Sequence, residues 1–355
     1  MTMSLPSADE QLKFLTNIQR ILDEGSFVAT YKFALLLAFA DYAILAGQGG
    51  PNLETITTLD LSESFINSYW RQAIPYEASQ KSGGQYLRMS TGAQPEIFSR
   101  IVILRNQFTT ITDLRSNTTE WRALKSKVAD VIARMPLWRL QVIGRELVCF
   151  LYHQNGQGYQ GRTIHLLPGV LSNFRQHYDL IRNLVQGAWL RHVRRMNLST
   201  LGERDLDEIL FGSERTTWDG LNEILKDNQN GECFYCRRRI SGEKGDIDHF
   251  IPWSRYSSDL GHNFVLAHAT CNRSKSDLLA SPRHLANWWR RNMMQAASLT
   301  ASFDSMRIPH DLNTTNGVAR WAYQQAEFCG SALWDGRNTQ IPADSTWKLA
   351  LESQK

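Results

Sequence analysis

The spacing of apolar residues predicts several helices in the first 140 positions. Ser7 followed by Glu10 resembles a capping box, so a first helix is expected over 8–24. Its apolar positions recur at helical steps: Leu12, Leu15, Ile18, Ile21 and Leu22. Residues 27–46 are apolar nearly all round, which predicts the buried centre of a helical N-terminal domain. Residues 97–135 show a helical pattern again.

The pattern changes several times further along the chain. Clusters of Gly, Pro and Ser over 47–92 predict turns and short helices, and the β-forming residues of 139–154 predict a strand pair. Apolar positions at steps of three and four predict a long amphipathic helix over 171–196, with an arginine-rich outer face. Shorter helices are expected at 281–294 and 318–328. The expected fold class is mainly α, of the α+β type.

Composition narrows the class of protein. The chain has 355 residues and 42% apolar content, which suffices for two or three globular domains. The longest uninterrupted apolar run has 8 residues, too few to span a bilayer. The first residues show neither the basic flank nor the apolar core of a signal peptide. We therefore expect a cytoplasmic protein that does not enter a membrane.

Positive charge is concentrated in one segment. The formal charge of +4 is small, but residues 161–200 hold 6 Arg and 3 His against a single acid, Asp179. Such an excess suits a polyanion, and a solvated helix face is the alternative.

Four residues have the spacing of a zinc site. Cys233 and Cys236 form C-x-x-C, and after 31 residues His268 and Cys271 form H-x-x-C. Two such pairs supply the four ligands of a closed, structural tetrahedral site, which would stabilise a segment too small to build its own core. A redox pair or two buried thiols are the alternatives for the first pair.

The segment between and after these pairs resembles the HNH endonuclease family. The motifs are DH followed by two hydrophobic residues and Pro, in DIDHFIP, and then NFVLAHATCNRSK, over about residues 231–280. The resemblance implies a ββα-metal fold and cleavage of a phosphodiester. It also implies His249 as general base, Asp248 and Asn272 as ligands of Mg²⁺ or Mn²⁺, and Asn263 as the residue that holds the loop bearing the histidine. Asn272 stands where the third letter of the family name has His.

The residue types fit that chemistry. Phosphodiester cleavage needs a base for water and a cation that stabilises the negative charge on the phosphate and the leaving oxygen. An imidazole accepts a proton near neutral pH, and the carboxylate of Asp248 and the amide of Asn272 offer hard oxygen ligands. Because neighbouring residues of a strand face opposite sides, Asp248 and His249 are expected where a strand ends. A zinc ribbon that binds nucleic acid without cutting it is the alternative.

The resemblance also organises the chain. We expect a helical recognition or interaction domain at 1–140, then a β-hairpin, a long basic helix and an acidic linker at 141–230. The nuclease core with its zinc is expected at 231–300, and a helical extension at 301–355. The expected contacts with nucleic acid are Arg273, Lys275, Arg194, Arg195, Arg290 and Arg291.

These features predict a metal-dependent endonuclease that acts on double-stranded DNA, with a restriction-like or phage-defence role. Two other hypotheses stay open. In one, the N-terminal domain binds an activating protein partner, such as an ATPase, or a second copy of the chain. In the other, the protein is an inactive, zinc-dependent DNA-binding regulator.

Overall fold

The computed structural model describes residues 6–46, 55–76, 85–154, 156, 158, 161–201, 205–212, 220–240, 245–256 and 258–352. The chain divides into two compact units, Met1–Glu214 and Arg215–Lys355. Helices predominate, and the strands of the described residues occur in two-stranded antiparallel pairs. The predicted fold class, mainly α and of the α+β type, is confirmed.

The first unit is built mostly of helices. Its elements are α1 (Ala8–Glu24), α2 (Tyr31–Ala46), β1 (Thr55–Thr57), α3 (Thr58–Gln72), α4 (Glu96–Gln107), α5 (Ile111–Ser116), α6 (Thr118–Arg134), α7 (Pro136–Leu140), β2 (Val142–Ile143), β3 (Glu146–Leu147), β4 (Thr163–His165), α8 (Val170–Gln176), α9 (Tyr178–Met196) and α10 (Leu206–Phe211). Strand β1 pairs with β4, and β2 pairs with β3.

Helix α2 is the centre of this unit. Most of its residues are buried, and it packs against α3, α7, α8 and α9. Aromatic side chains fill these contacts: Phe33 stacks on Trp189 of α9, and Phe39 stacks on Phe174 of α8. The apolar residues that predicted a buried helix therefore form the core. Over the described ranges, no helix is both long and apolar enough to cross a membrane.

Three local features of this unit differ from the expectation. The helix expected over 171–196 is divided into α8 and α9 at His177, whose ring nitrogen Nε2 lies 3.1 Å from the side-chain oxygen of Gln11. The strand pair expected at 139–154 is limited to β2 and β3, because α7 occupies the residues just before them. Within 47–92, of which 47–54 and 77–84 lie outside the described residues, α3 is a regular 15-residue helix.

The second unit combines a small strand pair with helices. Its elements are α11 (Leu221–Asn228), β5 (Asp246–His249), a 3₁₀ turn (Gly261–Asn263), β6 (Phe264–Ala267), α12 (Ala269–Lys275), α13 (Pro282–Met294), α14 (Ala296–Ser305), α15 (Leu312–Cys329), β7 (Ala332–Gly336), β8 (Thr339–Pro342) and α16 (Thr346–Glu352). Strands β5 and β6 are antiparallel, with Asp248 opposite Val265 and His249 opposite Phe264.

An apolar cluster supports one face of β5 and β6. Its buried members come from α11, β6, α14 and the segment after α14: Leu221, Leu225, Phe264, Leu266, Leu299, Phe303 and Ile308. The C-terminal hairpin of β7 and β8 binds the chain between α12 and α13, where Trp334 and Leu279 share a main-chain hydrogen bond of 2.8 Å. Residues beyond 300 thus belong to the same compact unit as β5, β6 and α12.

Candidate functional site

The four residues with zinc-ligand spacing form one group in the structure. The ligand atoms of Cys233, Cys236, His268 and Cys271 all lie within 4.8 Å of one another. A tetrahedral zinc ion with Zn–S bonds of about 2.3 Å needs ligand atoms separated by about 3.8 Å, so small shifts suffice to bind it. We call these four residues the cysteine–histidine group. It can hold a zinc ion.

Two turns position this group. The first turn contains Cys233 and Cys236 and ends at Arg237, which has a φ of 59°. The amide of Arg237 donates a hydrogen bond of 3.0 Å to the carbonyl of Cys233. The second is the start of α12, where His268 precedes the helix and Cys271 lies in its first turn. Nδ1 of His268 lies 3.3 Å from the sulfur of Cys236, and its Nε2 lies 3.3 Å from the carbonyl oxygen of Arg239. That carbonyl orients the ring with Nδ1 toward the thiols.

The pKa values of two thiols in this group are shifted in opposite directions. Burial and the neighbouring thiols Cys233 and Cys236 raise the pKa of Cys271 to about 12. Burial also acts to raise the pKa of Cys236, but hydrogen bonds from the Arg238 backbone and from the other members of the group lower it to about 7. Negative charge on three clustered sulfurs is unfavourable unless a cation compensates it. The donor set therefore fits a zinc ion.

Strand β5 presents its two candidate catalytic residues on opposite faces. Asp246 and Asp248 lie on one face, and Ile247 and His249 lie on the face of the apolar cluster. The strand ends at His249. The chain then turns into the segment that leads to β6.

Asp248 forms a buried ion pair with Lys275 and a hydrogen bond with Tyr235. We call these three residues the Asp248 cluster. Its carboxylate accepts a hydrogen bond from the hydroxyl of Tyr235 and lies 3.1 Å from Nζ of Lys275. Lys275 is fully buried, and its ammonium also donates to the carbonyl oxygen of His249 at 3.0 Å. Burial and the negative charge of Asp248 raise the pKa of Tyr235 well above its ordinary value, so its hydroxyl is the donor. A positive charge at this position therefore meets a carboxylate and a carbonyl oxygen.

His249 has different neighbours. Its Nε2 lies 2.9 Å from Oδ1 of Asp259, and its ring contacts the tilted rings of Phe264 and Trp253, with centroid distances of 4.7 Å and 5.4 Å. Asp259 comes from the segment that connects β5 to β6. The imidazole is thus bound to a carboxylate through Nε2 and packs against two aromatic rings.

Asn263 fastens the same segment to the end of β5. Its side-chain oxygen accepts from the amide of Ile251 at 2.8 Å, and its side-chain nitrogen donates to the carbonyl of Ile251 at 2.9 Å. The carbonyl of Asn263 accepts from the amide of Phe250 at 2.9 Å. These three bonds fix the main chain directly after His249.

Asn272 lies on α12, one residue after Cys271 of the cysteine–histidine group. Its side-chain nitrogen donates to Asp246 at 3.2 Å. Asp246 and Asp248 share a face of β5, so the structure brings Asn272 to the side of the strand where Asp248 lies. Arg273, the next residue, is exposed.

Two of the expected contacts with nucleic acid do not agree with the structure. Lys275 is buried and its ammonium is bound to Asp248 and the His249 carbonyl. Arg291 is also buried, and its guanidinium donates to the carbonyl oxygens of Phe264 at 2.7 Å and His262 at 2.6 Å. Burial lowers the pKa of Arg291 to about 9. Lys275 is thus bound to β5, and Arg291 to β6 and the turn before it, so neither cation is available to a phosphate.

The other expected contacts are exposed. Arg290 lies on the outer face of α13, and Arg194 and Arg195 lie in the last turn of α9. Arg195 also lines a cavity of about 600 Å³ in the first unit, together with Arg88 and His192. Two guanidinium groups thus border one cavity.

Sequence reasoning missed two partners of the candidate residues. Asp259 is the only acid between His249 and Asn263 in the sequence, and that was a usable signal, since a carboxylate in a short loop near a histidine is a natural partner for it. Tyr235 lies within the C-x-x-C motif, where the spacing of the cysteines gives no indication that the tyrosine reaches Asp248.

The chain has no match among the curated proteins or the solved structures. Residues 233–281 match the family model of HNH endonucleases. That range contains the cysteine–histidine group, β5, β6 and α12, so the second unit of this protein carries an HNH endonuclease domain.

Proposed function

We propose that this protein is a metal-dependent endonuclease that hydrolyses phosphodiester bonds in double-stranded DNA. The observation that carries the proposal is the end of β5 within the segment that matches the HNH family. There Asp248 and His249 are consecutive, and α12 brings Asn272 to the Asp248 side of the strand.

In this proposal His249 is the general base. Its Nε2 faces Asp259, which leaves Nδ1 as the nitrogen that takes a proton from water. The oxygen of that water forms the new bond to phosphorus, and the bond from phosphorus to the leaving 3′ oxygen breaks. General base catalysis of this kind contributes about 100- to 10,000-fold to the rate. Asn263 acts by fixing the main chain next to the histidine.

Asp248 and Asn272 would hold the catalytic cation, Mg²⁺ or Mn²⁺. The contacts of Lys275 support the fit, because its ammonium, a positive charge, already binds two oxygen atoms, one of the Asp248 carboxylate and the other the His249 carbonyl. Carboxylate, carbonyl and amide oxygens are the ligands that these ions prefer. A bound ion would stabilise the negative charge of the phosphate and of the leaving oxygen. Asp248 would then exchange a lysine partner for a metal partner.

We assign zinc to the cysteine–histidine group, in a structural role. Four protein ligands complete a tetrahedral site, so the ion has no open position for water or substrate. Its contribution would be to fix the start of α12, which carries Asn272.

Exposed arginines are the proposed contacts with DNA. Arg273 and Arg290 serve the second unit, and Arg194 and Arg195 serve the first, where Arg88 borders the same cavity as Arg195. Such contacts hold phosphates and make binding dependent on salt. We place the enzyme in the cytoplasm in a restriction-like or phage-defence role, with the first unit as a recognition domain.

The test is a cleavage assay with the full-length, zinc-loaded protein. Supercoiled plasmid, linear duplex, single-stranded DNA and RNA are each incubated with Mg²⁺, with Mn²⁺ or with EDTA, and plasmid with modified bases is included. We expect nicking or linearisation of duplex DNA with either ion. His249→Ala should lower the rate by about 1,000-fold or more, and His153→Ala, at an exposed histidine of the first unit, should not change it.

The assay also separates the other hypotheses. Activity that appears only when a protein partner is added would favour a nuclease docked through its first unit. Absence of cleavage on every substrate, with DNA binding unaffected by His249→Ala, would favour an inactive zinc-dependent regulator and would contradict the proposal.

A further inference from the structure

We propose that Asp259 is a positioning residue for His249, which it holds in the tautomer that can act as a base. This inference rests on the nuclease function proposed above. It concerns a residue outside the motifs DIDHFIP and NFVLAHATCNRSK, and it starts from the contact of 2.9 Å between Oδ1 of Asp259 and Nε2 of His249.

The contact is partly shielded from water. The side chain of His249 is 24% exposed and that of Asp259 is 20% exposed. Hydrogen bonds between partly buried charged and polar groups are stronger than the same bonds at the surface. The pair is therefore more than a passing contact between two solvated side chains.

The carboxylate determines which ring nitrogen carries the proton. An ionised carboxylate only accepts hydrogen bonds, so Nε2 of a neutral imidazole must be the N–H donor toward Asp259. The opposite tautomer would place a nitrogen lone pair against a carboxylate oxygen. With the proton on Nε2, Nδ1 carries the lone pair that accepts a proton from water.

Aromatic neighbours limit the side-chain rotamer of His249. Phe264 stands directly across the strand pair from His249, and Trp253 lies four residues after it. These rings restrict the side-chain rotamer, while Asp259 fixes the edge of the imidazole. Rotamer and tautomer together place one lone pair in one direction, which is what a general base requires.

The segment that carries Asp259 is itself anchored near both ends. Asn263 bonds the main chain of Ile251 on one side, and the amide of Gly261 donates to the carbonyl of Pro309 at 2.7 Å on the other. A Cβ at Gly261 would lie 2.7 Å from the ring of Phe303, so the chain packs closely there. Asp259 is thus presented to His249 by a braced segment.

The experiment compares Asp259→Ala, Asp259→Asn and Asp259→Glu with the wild type in full-length, zinc-loaded protein. Single-turnover cleavage of plasmid DNA gives the rate of the chemical step, and multiple-turnover cleavage at several DNA concentrations gives KM. We expect Asp259→Ala to lower the rate about 100-fold with KM changed less than threefold. Asp259→Asn keeps the size and one oxygen acceptor, so it should fall between Ala and wild type, and Asp259→Glu should recover part of the rate.

Asp227→Asn is the matched control, because Asp227 is an exposed acid of α11 in the same unit. It should cleave like the wild type. Zinc content and melting temperature show whether each variant is folded. If Asp259→Ala does not fold, Asp259→Asn carries the comparison.

A second readout follows the tautomer directly. Histidine labelled with ¹⁵N gives correlations between the ring protons and the two ring nitrogens at a pH of about 8, where an ordinary imidazole is neutral. The signals of His249 are those missing from His249→Ala. We expect the Nε2–H form in the wild type and a mixture of tautomers in Asp259→Ala.

The two proposals fail in different ways. If the wild type cleaves and His249→Ala does not, but Asp259→Ala cleaves within threefold of the wild type, the positioning role is wrong and the nuclease function stands. An unchanged tautomer in Asp259→Ala also overturns the positioning role. If the wild type cleaves nothing, with or without a protein partner, the nuclease function is wrong, and the ring-nitrogen spectrum still decides whether Asp259 determines the tautomer.

Discussion

The cysteine–histidine group and the Asp248 cluster lie close together along the chain but differ in how ready they are for a metal ion. In the first, four ligand atoms converge within 4.8 Å of one another. In the second, the carboxylate of Asp248 is already paired with the buried ammonium of Lys275. The first group has four ligand atoms that face one point and no protein cation among them, whereas the second already contains a protein cation. Under the proposed function, the first would keep its ion and the second would exchange Lys275 for a metal ion.

The largest effect is expected when one of the four zinc ligands is removed. Cys236→Ala should lose zinc and yield insoluble or misfolded protein, because zinc supplies about 10 kcal/mol or more to the folding of small sites. Zinc content, far-UV circular dichroism and soluble yield are the measurements. Cys329→Ala, at an exposed cysteine of the same unit, is the control and should behave like the wild type. A stable, active Cys236→Ala protein would refute a structural zinc.

Chelators should separate the two ions without any mutation. EDTA at a concentration that binds free Mg²⁺ should stop cleavage at once, and an excess of Mg²⁺ should restore it, because the catalytic ion exchanges. Extraction of zinc, measured by atomic absorption, should be slow and should change the circular dichroism. Zinc loss at the same rate as activity loss would mean that the two sites are not distinct.

Removal of the carboxylate from the Asp248 cluster should have a smaller effect on stability. Asp248→Ala leaves the buried ammonium of Lys275 without its carboxylate, which costs about 3 kcal/mol of unfolding free energy. The double variant Asp248→Ala/Lys275→Met should recover part of that loss, because it leaves no unpaired buried charge. Urea unfolding of the single and double variants measures both values. Equal stability of the two would contradict a buried ion pair.

The smallest effect concerns the residue that joins the two groups. Tyr235→Phe removes the hydroxyl that donates to Asp248 and leaves both flanking cysteines in place. The expected loss is about 1 kcal/mol of unfolding free energy, with zinc affinity unchanged. A large drop in zinc affinity would show that the Asp248 cluster and the cysteine–histidine group do not act separately.

Local signals were sufficient for part of the fold. The capping box of Ser7 and Glu10 and the apolar spacing that follows predicted a helix over 8–24, and α1 spans Ala8–Glu24. The start of α2 was placed four residues too early, because residues 27–30 are compatible with a helix but form a bridge and a turn. Where the signal is in consecutive residues, sequence alone was adequate.

Helix α3 shows how a signal can be overlooked. Its buried face, Leu61, Phe65, Ile66, Tyr69 and Trp70, recurs at helical steps, and Thr57 and Asp60 form a capping box. Flanking clusters of Gly, Pro and Ser drew the interpretation toward turns. The break at His177 was not predictable in the same way, because its partner Gln11 is 166 residues away in sequence.

In the candidate site, too, the features that depend on nearby residues were predictable and those that depend on distant partners were not. The cysteine–histidine group was predictable because its ligands come in two short pairs. The burial of Lys275 and Arg291 was not, because it depends on partners 27 to 29 residues distant, such as Asp248 and His262. Both residues are basic neighbours of exposed arginines, and nothing in a linear pattern distinguishes a cation that faces solvent from one that faces a carboxylate or a carbonyl.

The four residues of β5 also bear on how this chain can change in evolution. Asp248 and His249 have opposite surroundings because they are consecutive in a strand, so one residue inserted or deleted between Asp246 and Asp248 would move each of them to the opposite face. The imidazole would then meet Lys275, and a carboxylate would meet the apolar cluster. We therefore expect relatives to differ in length outside this strand while keeping an unbroken spacing within it.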